Sequence, residues 1–338
     1  MPKLGIGVIG SGFMAQAVHI PSIIRTERAS VVAISDLKVK LASSVAARWK
    51  IPKVYADYQD MLRSDEVQAV FVLTDKYSHY QVVMDALVAG KHVFVEKPLA
   101  MRYSDALKIA QEANRRNLVT FVGYMKRYDA GMNLAKEKIL SFGKPSFARA
   151  TYFGGNWTFG EPQIKPLTSD ETVPQSQKSY PEIPPQAIRL YDDLVEQIHV
   201  INSVRYLFGE PKVLSSNLKA GFLCSSLDAG HLISLEFGSV NLGGWKEEYL
   251  ALYRDSEILV RPPPPLYRNT TASVYINQGG IETNYPRVGF KWAFEAEVEA
   301  FLAAVIDGEP YVSGAEDSAN DLKIADYISK QAAQASSF

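Results

Sequence analysis

Residues 90–100 read Gly-Lys-His-Val-Phe-Val-Glu-Lys-Pro-Leu-Ala, and a short apolar run, Val93–Val95, ends abruptly in the carboxylate of Glu96, the ammonium of Lys97 and the ring of Pro98. Ligands of open α/β sheets bind at the carboxyl ends of strands. A lysine placed there is either a clamp for phosphate or carboxylate or a proton-handling group. The plain structural alternative is an ion pair with Glu96.

A second set lies at the start of the chain. Gly10-Ser11-Gly12-Phe13-Met14-Ala15 follows an apolar run and opens a helical pattern. This is a GxGxxA form of the dinucleotide fingerprint. Gly10 makes the tight turn, Gly12 lets the backbone approach a pyrophosphate, and Phe13 and Met14 carry the chain into the helix. The small Ala15 lets that helix pack on its strand. Asp36 closes the next strand roughly 20 residues on, where a carboxylate for the adenosine ribose belongs. A carboxylate that accepts both ribose hydroxyls repels a 2′-phosphate, so NAD is expected over NADP. Lys38 and Lys40 either soften that repulsion or are a solvated helix start.

Strand and helix signals alternate through the first 122 residues. Strand-like runs at Leu4–Ile9, Val31–Ser35, Gln68–Leu73, Val93–Val95 and Val119–Val122 are separated by helical patterns through His19–Arg25, Leu37–Trp49, Tyr80–Ala89 and Ser104–Asn114. That grammar predicts βαβ units and a parallel sheet. The helix near 104 would be capped by Ser104 or its neighbour. After Gly123 the pattern changes, and residues 123–338 are expected to form a second domain. Ser146–Phe153 is strand-like, and residues 160–186 form a long loop of the kind that is often functional. One helix is predicted over 187–208, stopped by Gly209-Glu210-Pro211. Strands then follow at Lys212–Lys219, His231–Phe237, Val240–Trp245, Tyr249–Val260 and Ala272–Ile276, a succession that suggests an antiparallel sheet. Helices at Trp292–Asp307 and Ala315–Ala332 complete the chain.

With these motifs in place, the chain resembles the glucose–fructose oxidoreductase/inositol dehydrogenase family over nearly its whole length. The resemblance rests on Gly7–Ala15, Asp36, Ala89–Ala100, Gly123–Asp129, His199–Pro211 and Trp292–Pro310. It implies an α/β protein with an N-terminal Rossmann domain, a doubly wound parallel sheet over residues 1–122. The C-terminal α/β domain would carry an open, mainly antiparallel sheet that makes oligomer contacts in a homodimer or homotetramer. It also implies hydride transfer between a nicotinamide and a secondary alcohol of a cyclic polyol, sugar or aminosugar derivative.

Carried over residue by residue, Lys97 matches the family's catalytic lysine, Pro98 the proline beside the nicotinamide, and His199 the acid/base histidine. Thr74 and His79 match a loop near the cofactor, although the Pro-Asn that usually follows the threonine is Asp75-Lys76 here. Tyr124-Met125-Lys126-Arg127-Tyr128-Asp129 looks like the segment that lines the polyol pocket. Lys97, Tyr124, Arg127, Asn156, Trp157, Asp192, Glu196 and His199 are the candidates for holding the substrate, with Arg127 and Trp157 equally readable as packing residues. The main departure is Val195, where the family has its catalytic aspartate four residues before the histidine. Gln197 and Asn202 also replace a glycine and an aspartate of that pattern. On one continuous helix Asp192 would sit about 20° from His199 but about 10 Å along the axis, and Glu196 about 60° away. His199 is then either catalytic or a helix histidine satisfied by its neighbours.

The bulk properties narrow the classes. The 338 residues are enough for about two domains. A net charge of −1 supplies no broad field for nucleic acid or anionic membrane. Cys224 is the only cysteine, which excludes an internal disulfide framework and a cysteine-rich metal site. The start Met1-Pro2-Lys3 runs straight into a strand without a cleavable signal pattern, and no stretch reaches about 20 apolar residues. A cytoplasmic enzyme without bound metal is the expectation. Two readings compete with a dissociable-NAD dehydrogenase. One is an enzyme with tightly bound NAD that uses transient oxidation for elimination or epimerisation. The other is a non-catalytic NAD-binding sensor.

Overall fold

Leu-Gly-Ile-Gly-Val-Ile is buried along its whole length as strand β1 (Leu4–Ile9), as a strand covered on both faces must be. In the computed structural model, which describes residues 3–155, 157–158, 165–178, 180–238 and 243–335, five more strands join it. They are β2 (Ala29–Ser35), β3 (Lys53–Tyr55), β4 (Ala69–Val72), β5 (His92–Val95) and β6 (Thr120–Val122). The order is β3-β2-β1-β4-β5-β6, with every pair parallel. This is the doubly wound Rossmann order, with its switch point between β1 and β4. The first helical segment is π-wound over Ala15–His19 and α-wound over α1 (Ile20–Arg25). Helices α2 (Val39–Trp49), α3 (Tyr58–Leu62), α4 (His79–Val88) and α5 (Tyr103–Arg116) follow. The N-cap of α5 is Arg102 and makes no side-chain cap bond, so the expected serine cap is absent.

Two compact units divide the chain. Unit one comprises residues 1–124, 162–181 and 297–320, and unit two comprises 125–161, 182–296 and 321–338. The sequence pattern places one boundary after residue 122, and the two units are assembled from interleaved segments. Two later segments complete unit one's core. Phe71, Phe94 and Phe121, on neighbouring strands, stack at 4.4 and 5.4 Å between ring centroids. Phe301 meets all three edge-on at 5.3–5.9 Å. The edge of β6 is closed by Val122 N–H donating to Ser313 O at 2.8 Å and by a bridge from Phe121 to Gly314. An unpaired strand edge is thereby avoided.

Unit two contains an eight-stranded sheet ordered β14-β13-β12-β11-β7-β10-β9-β8. Its strands are β7 (Phe147–Gly155), β8 (Lys212–Lys219), β9 (Phe222–Asp228), β10 (Leu232–Gly238), β11 (Trp245–Leu252), β12 (Ser256–Arg261), β13 (Ser273–Gln278) and β14 (Ile281–Tyr285). β7 and β10 pair in parallel and the other neighbours are antiparallel. Helix α6 (Ala130–Phe142) lies against β12 and β13, and a later helix, α8 (His199–Phe208), against β7.

Several elements differ from the sequence reading. Residues 249–260 form a hairpin of β11 and β12 instead of one strand, because Arg254-Asp255 turns the chain. Helix α6 and strands β3, β9 and β14 were not anticipated. Of the strand expected at Val240–Trp245, residues 240–242 lie outside the described residues and Trp245 begins β11. The helix expected over 187–208 is two, α7 (Ile188–Glu196) and α8, broken where Gln197 leaves helical geometry at φ −103 and ψ 32. Helices α9 (Ala293–Asp307) and α10 (Ala315–Ala335) close the chain nearly where expected.

Candidate active site

The turn after β1 admits only glycine at its first position. Gly10 has φ +100, and a Cβ there would stand 2.6 Å from Leu73 O and 2.8 Å from Leu73 C. A Cβ on Gly12 would meet nothing within 4 Å, so this backbone faces open space, as a cradle for a pyrophosphate requires. Phe13 and Met14 are half-buried, and Ala15 is fully buried. Asp36 is half-buried beside the turn. Its Oδ2 accepts from both the N–H and the hydroxyl of Ser11 at 2.6 Å, and its Oδ1 from Lys38 N–H at 2.8 Å. A cavity of about 560 Å³ opens here, lined by Gly10, Gly12, Asp36, Lys38, Thr74 and Val173 among others. Its size and mixed lining suit an adenine dinucleotide's adenosine end.

The ends of β4 and β5 flank this turn, because the sheet order places β1, β4 and β5 side by side. His79, buried at the start of α4, ties the two loops together. Its Nδ1 lies 2.7 Å from Pro98 O and its Nε2 3.2 Å from Thr74 O. Burial pulls this imidazole below its ordinary pKa, outweighing the two carbonyls that favour its charged form. Of the residues expected near the cofactor, Thr74 lines the cavity while His79 stands behind it as a brace.

Glu96 is nearly fully buried. Its Oε1 lies 2.7 Å from His19 Nε2, and its Oε2 accepts Lys97 N–H at 3.1 Å. Burial opposes its charge. The hydrogen bond and charge of His19, with Lys97, outweigh that opposition and hold the carboxyl below its usual range. Lys97 itself is half-buried, and the Lys97–Pro98 peptide is cis. The carboxylate of Glu96 is thus committed to His19, which packs on Phe71 and Phe94 at 5.8 and 5.1 Å.

One group here escaped the sequence reading. Glu297 on α9 has no exposed surface, and neither carboxyl oxygen has a hydrogen-bond partner among the described residues. Burial, then the charge of Glu96, pushes it well above the usual carboxylate range. Its spacing held the signal, since Glu297 is three residues after Phe294 and four before Phe301, on the helix's apolar stripe.

In unit two, His199 opens α8 immediately after the break and is half-buried. The expected angular relation of His199 to Asp192 and Glu196 therefore does not hold, because the helix that would carry it is interrupted. Asp192 is half-buried and Glu196 exposed on α7, while Val195 is fully buried as a packing residue. Gln197, at the break, accepts the Tyr152 hydroxyl at 2.6 Å. Asn202 joins a buried polar chain in which Arg127 Nε donates to Asn202 Oδ1 at 2.8 Å and Asn202 Nδ2 to Asp321 Oδ2 at 2.8 Å. Arg205 Nη1 donates to Asp321 Oδ1 at 2.6 Å. Arg127 is thus built into the interior, with its guanidinium also over the Tyr206 ring at 5.4 Å. Lys126 is buried against Glu247, which also accepts the Tyr249 hydroxyl at 2.6 Å. Tyr124 has no exposed surface, and Trp157 is 45 % exposed. Asn156 lies outside the described residues. Among the described residues no cluster of His, Cys, Asp and Glu suits a metal ion. No helix among them is long and apolar enough to cross a membrane.

Comparison with known proteins bears on these features. Residues 4–124 match the profile of an oxidoreductase family with an NAD-binding Rossmann fold. Myo-inositol 2-dehydrogenase of Thermotoga maritima is 26 % identical over 207 residues, 61 % of this chain and 55 % of that protein. Inositol 2-dehydrogenase of Gluconacetobacter diazotrophicus is 41 % identical over 132 residues, 38 % of this chain and 39 % of that one. The chain spans about half the length, or less, of these curated relatives. Among solved structures, aldose–aldose oxidoreductase from Caulobacter crescentus superposes with a TM-score of 0.78 at 18 % identity, covering 98 % of both chains. A 3-ketoreductase from Actinomadura kijaniata, solved with NADP and TDP-benzene, gives 0.76 at 19 % identity, again over 98 % of both. At these identities the structures establish the shared fold.

Proposed function

We propose, from the match of residues 4–124 to the oxidoreductase family and the likeness to inositol dehydrogenases, that the chain is a glucose–fructose oxidoreductase/inositol dehydrogenase family member that transfers hydride between NAD and a secondary alcohol of a cyclic polyol, sugar or aminosugar derivative, giving a ketone. The observation that carries the proposal is the placement of the Gly10 turn, Thr74 and Lys97 at the ends of three adjacent strands. Gly10, Gly12 and Ala15 would seat the pyrophosphate and Asp36 the adenosine ribose. NAD bound there supplies the hydride acceptor.

Lys97 is the group proposed to hold the reacting hydroxyl and take its proton. Glu96 does not compete for that role, because its carboxylate is held by His19 and by the Lys97 backbone. His199 is proposed as a second acid/base group on the strength of its pattern position. With Val195 where a carboxylate stands in the family, Lys97 carries the larger share of the proton transfer. The protein is proposed to work in the cytoplasm as a homodimer or homotetramer through the unit-two sheet.

One observation favours a second reading, in which NAD stays bound and is reduced and re-oxidised in place. Val173, Pro174 and Ser176 of the 165–178 segment line the same cavity as Asp36. The test is to mix purified protein with NAD⁺ and a panel of polyols and sugars, following absorbance at 340 nm, after denaturing a sample to look for co-purified nucleotide. Activity abolished in Lys97→Ala and cut at least about a hundredfold in His199→Ala is expected. Unchanged rates in both variants would reject the assignment. Nucleotide binding without turnover on any substrate would favour the sensor.

A further inference from the structure

Helix α2 begins beside Asp36 without a cap of its own. Its N-cap, Lys38, makes no side-chain cap bond and its first turn holds no acid. The missing acceptor arrives from 130 residues away. Glu171 Oε1 accepts Lys40 N–H at 3.1 Å, and Oε2 accepts Leu41 N–H at 3.2 Å. The carboxylate is aimed by Ser169, whose hydroxyl donates to Oε2 at 2.7 Å and accepts the Glu171 N–H at 3.1 Å. Ser169 in turn sits on an anchored strap. Gln16, nearly fully buried in the π-wound segment, donates to Leu167 O at 3.0 Å and accepts Leu167 N–H at 2.8 Å. Arg48 donates to Lys165 O at 3.0 Å. The cavity wall includes Leu41, whose N–H this carboxylate holds, and Val173, two residues along the strap, together with Asp36 and Lys38.

A dinucleotide ribose held by Asp36 would direct its 2′ position toward the start of α2, whose free N–H groups and nearby Lys40 would otherwise attract a phosphate. Two of those N–H groups are already taken by Glu171, whose charge the Lys40 ammonium also feels. We propose that Glu171 is a specificity-determining residue: bound across the first turn of α2, it holds the seat that the 2′-phosphate of NADP would need, so the site selects NAD. The inference rests on the dinucleotide site proposed above and assigns its selectivity to a residue far from the fingerprint in sequence. Asp36 repels the phosphate directly, and Glu171 removes its landing place.

The experiment titrates NAD⁺ and NADP⁺ calorimetrically into wild type, Glu171→Gln, Asp36→Ser and the double variant, with the melting temperature of each recorded. Wild type should prefer NAD⁺. Glu171→Gln should move the NADP:NAD affinity ratio toward NADP, and by about tenfold in the Asp36→Ser background, where one like charge remains to be removed. A ratio unmoved by Glu171→Gln in both backgrounds, with only the melting temperature falling, assigns Glu171 a purely structural cap and overturns the proposal. A wild type that prefers NADP⁺ overturns it as well. Failure of wild type to bind either nucleotide rejects the underlying site itself, and the proposal with it.

Discussion

Replacing Glu297 by methionine should stabilise unit one, and by more at neutral than at acid pH. In the unfolded chain this carboxyl ionises above about pH 4.3. In the folded protein burial and the neighbouring Glu96 keep it protonated well beyond that point. Folded-state affinity for the proton is therefore raised. The stability linked to this group is complete below about pH 4.3 and declines as pH rises until the folded carboxyl itself ionises. Each pH unit inside that window costs about 1.4 kcal/mol, which wild type loses and Glu297→Met keeps. At about 2–4 °C per kcal/mol for a unit of this size, the gap between the two melting temperatures should widen by about 3–6 °C per pH unit there. Differential scanning calorimetry over a series of pH values from about 5 upward reads this as the slope of that gap, with Glu96 the neighbouring group whose titration also changes. Glu297→Gln separates charge from packing. It should share the flat pH response while sitting about 1–3 kcal/mol below the methionine variant, because its amide is buried unpaired. Parallel pH profiles for wild type and Glu297→Met would refute the reasoning.

Two further outcomes follow from the geometry. Gly10→Ala places a Cβ 2.6 Å from Leu73 O at a positive φ, so it should cost about 2–4 kcal/mol and abolish NAD binding; retained affinity in calorimetry would contradict the role of the turn. Glu247→Ala leaves the buried Lys126 ammonium without its carboxylate and should cost about 3–5 kcal/mol in urea denaturation, most of it recovered by adding Lys126→Met. A double variant no more stable than the single would show that the pair is not coupled as described.

Unit one was legible because its physics is local. Strands covered on both faces read as continuous apolar runs, and a turn that only glycine can make leaves glycine in the sequence. Its two later segments were not legible as parts of it. Nothing near Gln16 announces that its amide will hold Leu167, and nothing at Lys38 shows that the cap of α2 comes from Glu171. Unit two resisted for a different reason. The α7–α8 break carries neither glycine nor proline at Gln197-Ile198, and the apolar spacing continues straight through it. Helix α6 did have a signal. Asp129 caps it by accepting Gly131 and Met132 N–H at 2.8 and 3.1 Å, but the interior glycine weakened the helical pattern. Arg127 and Lys126 belong to the segment read by its resemblance to the family's polyol-pocket lining, with Arg127 equally readable as a packing residue. Their partners, Asn202 and Glu247, lie 75 and 121 residues away and make them interior groups.

The late segments of unit one also set a timetable for its folding. During synthesis the six parallel strands emerge within the first 122 residues, yet Phe301, which packs edge-on against three of their rings, and Ser313, which closes β6, are still unmade. Until roughly residue 320 has left the ribosome, the nascent sheet has an open edge and an uncovered aromatic layer. It must either wait in a loosened state or be shielded by a chaperone while all of unit two's sheet is translated. Ribosome-stalled chains arrested near residue 200 and the 338-residue chain released from the ribosome should accordingly differ sharply in protease resistance over residues 1–124.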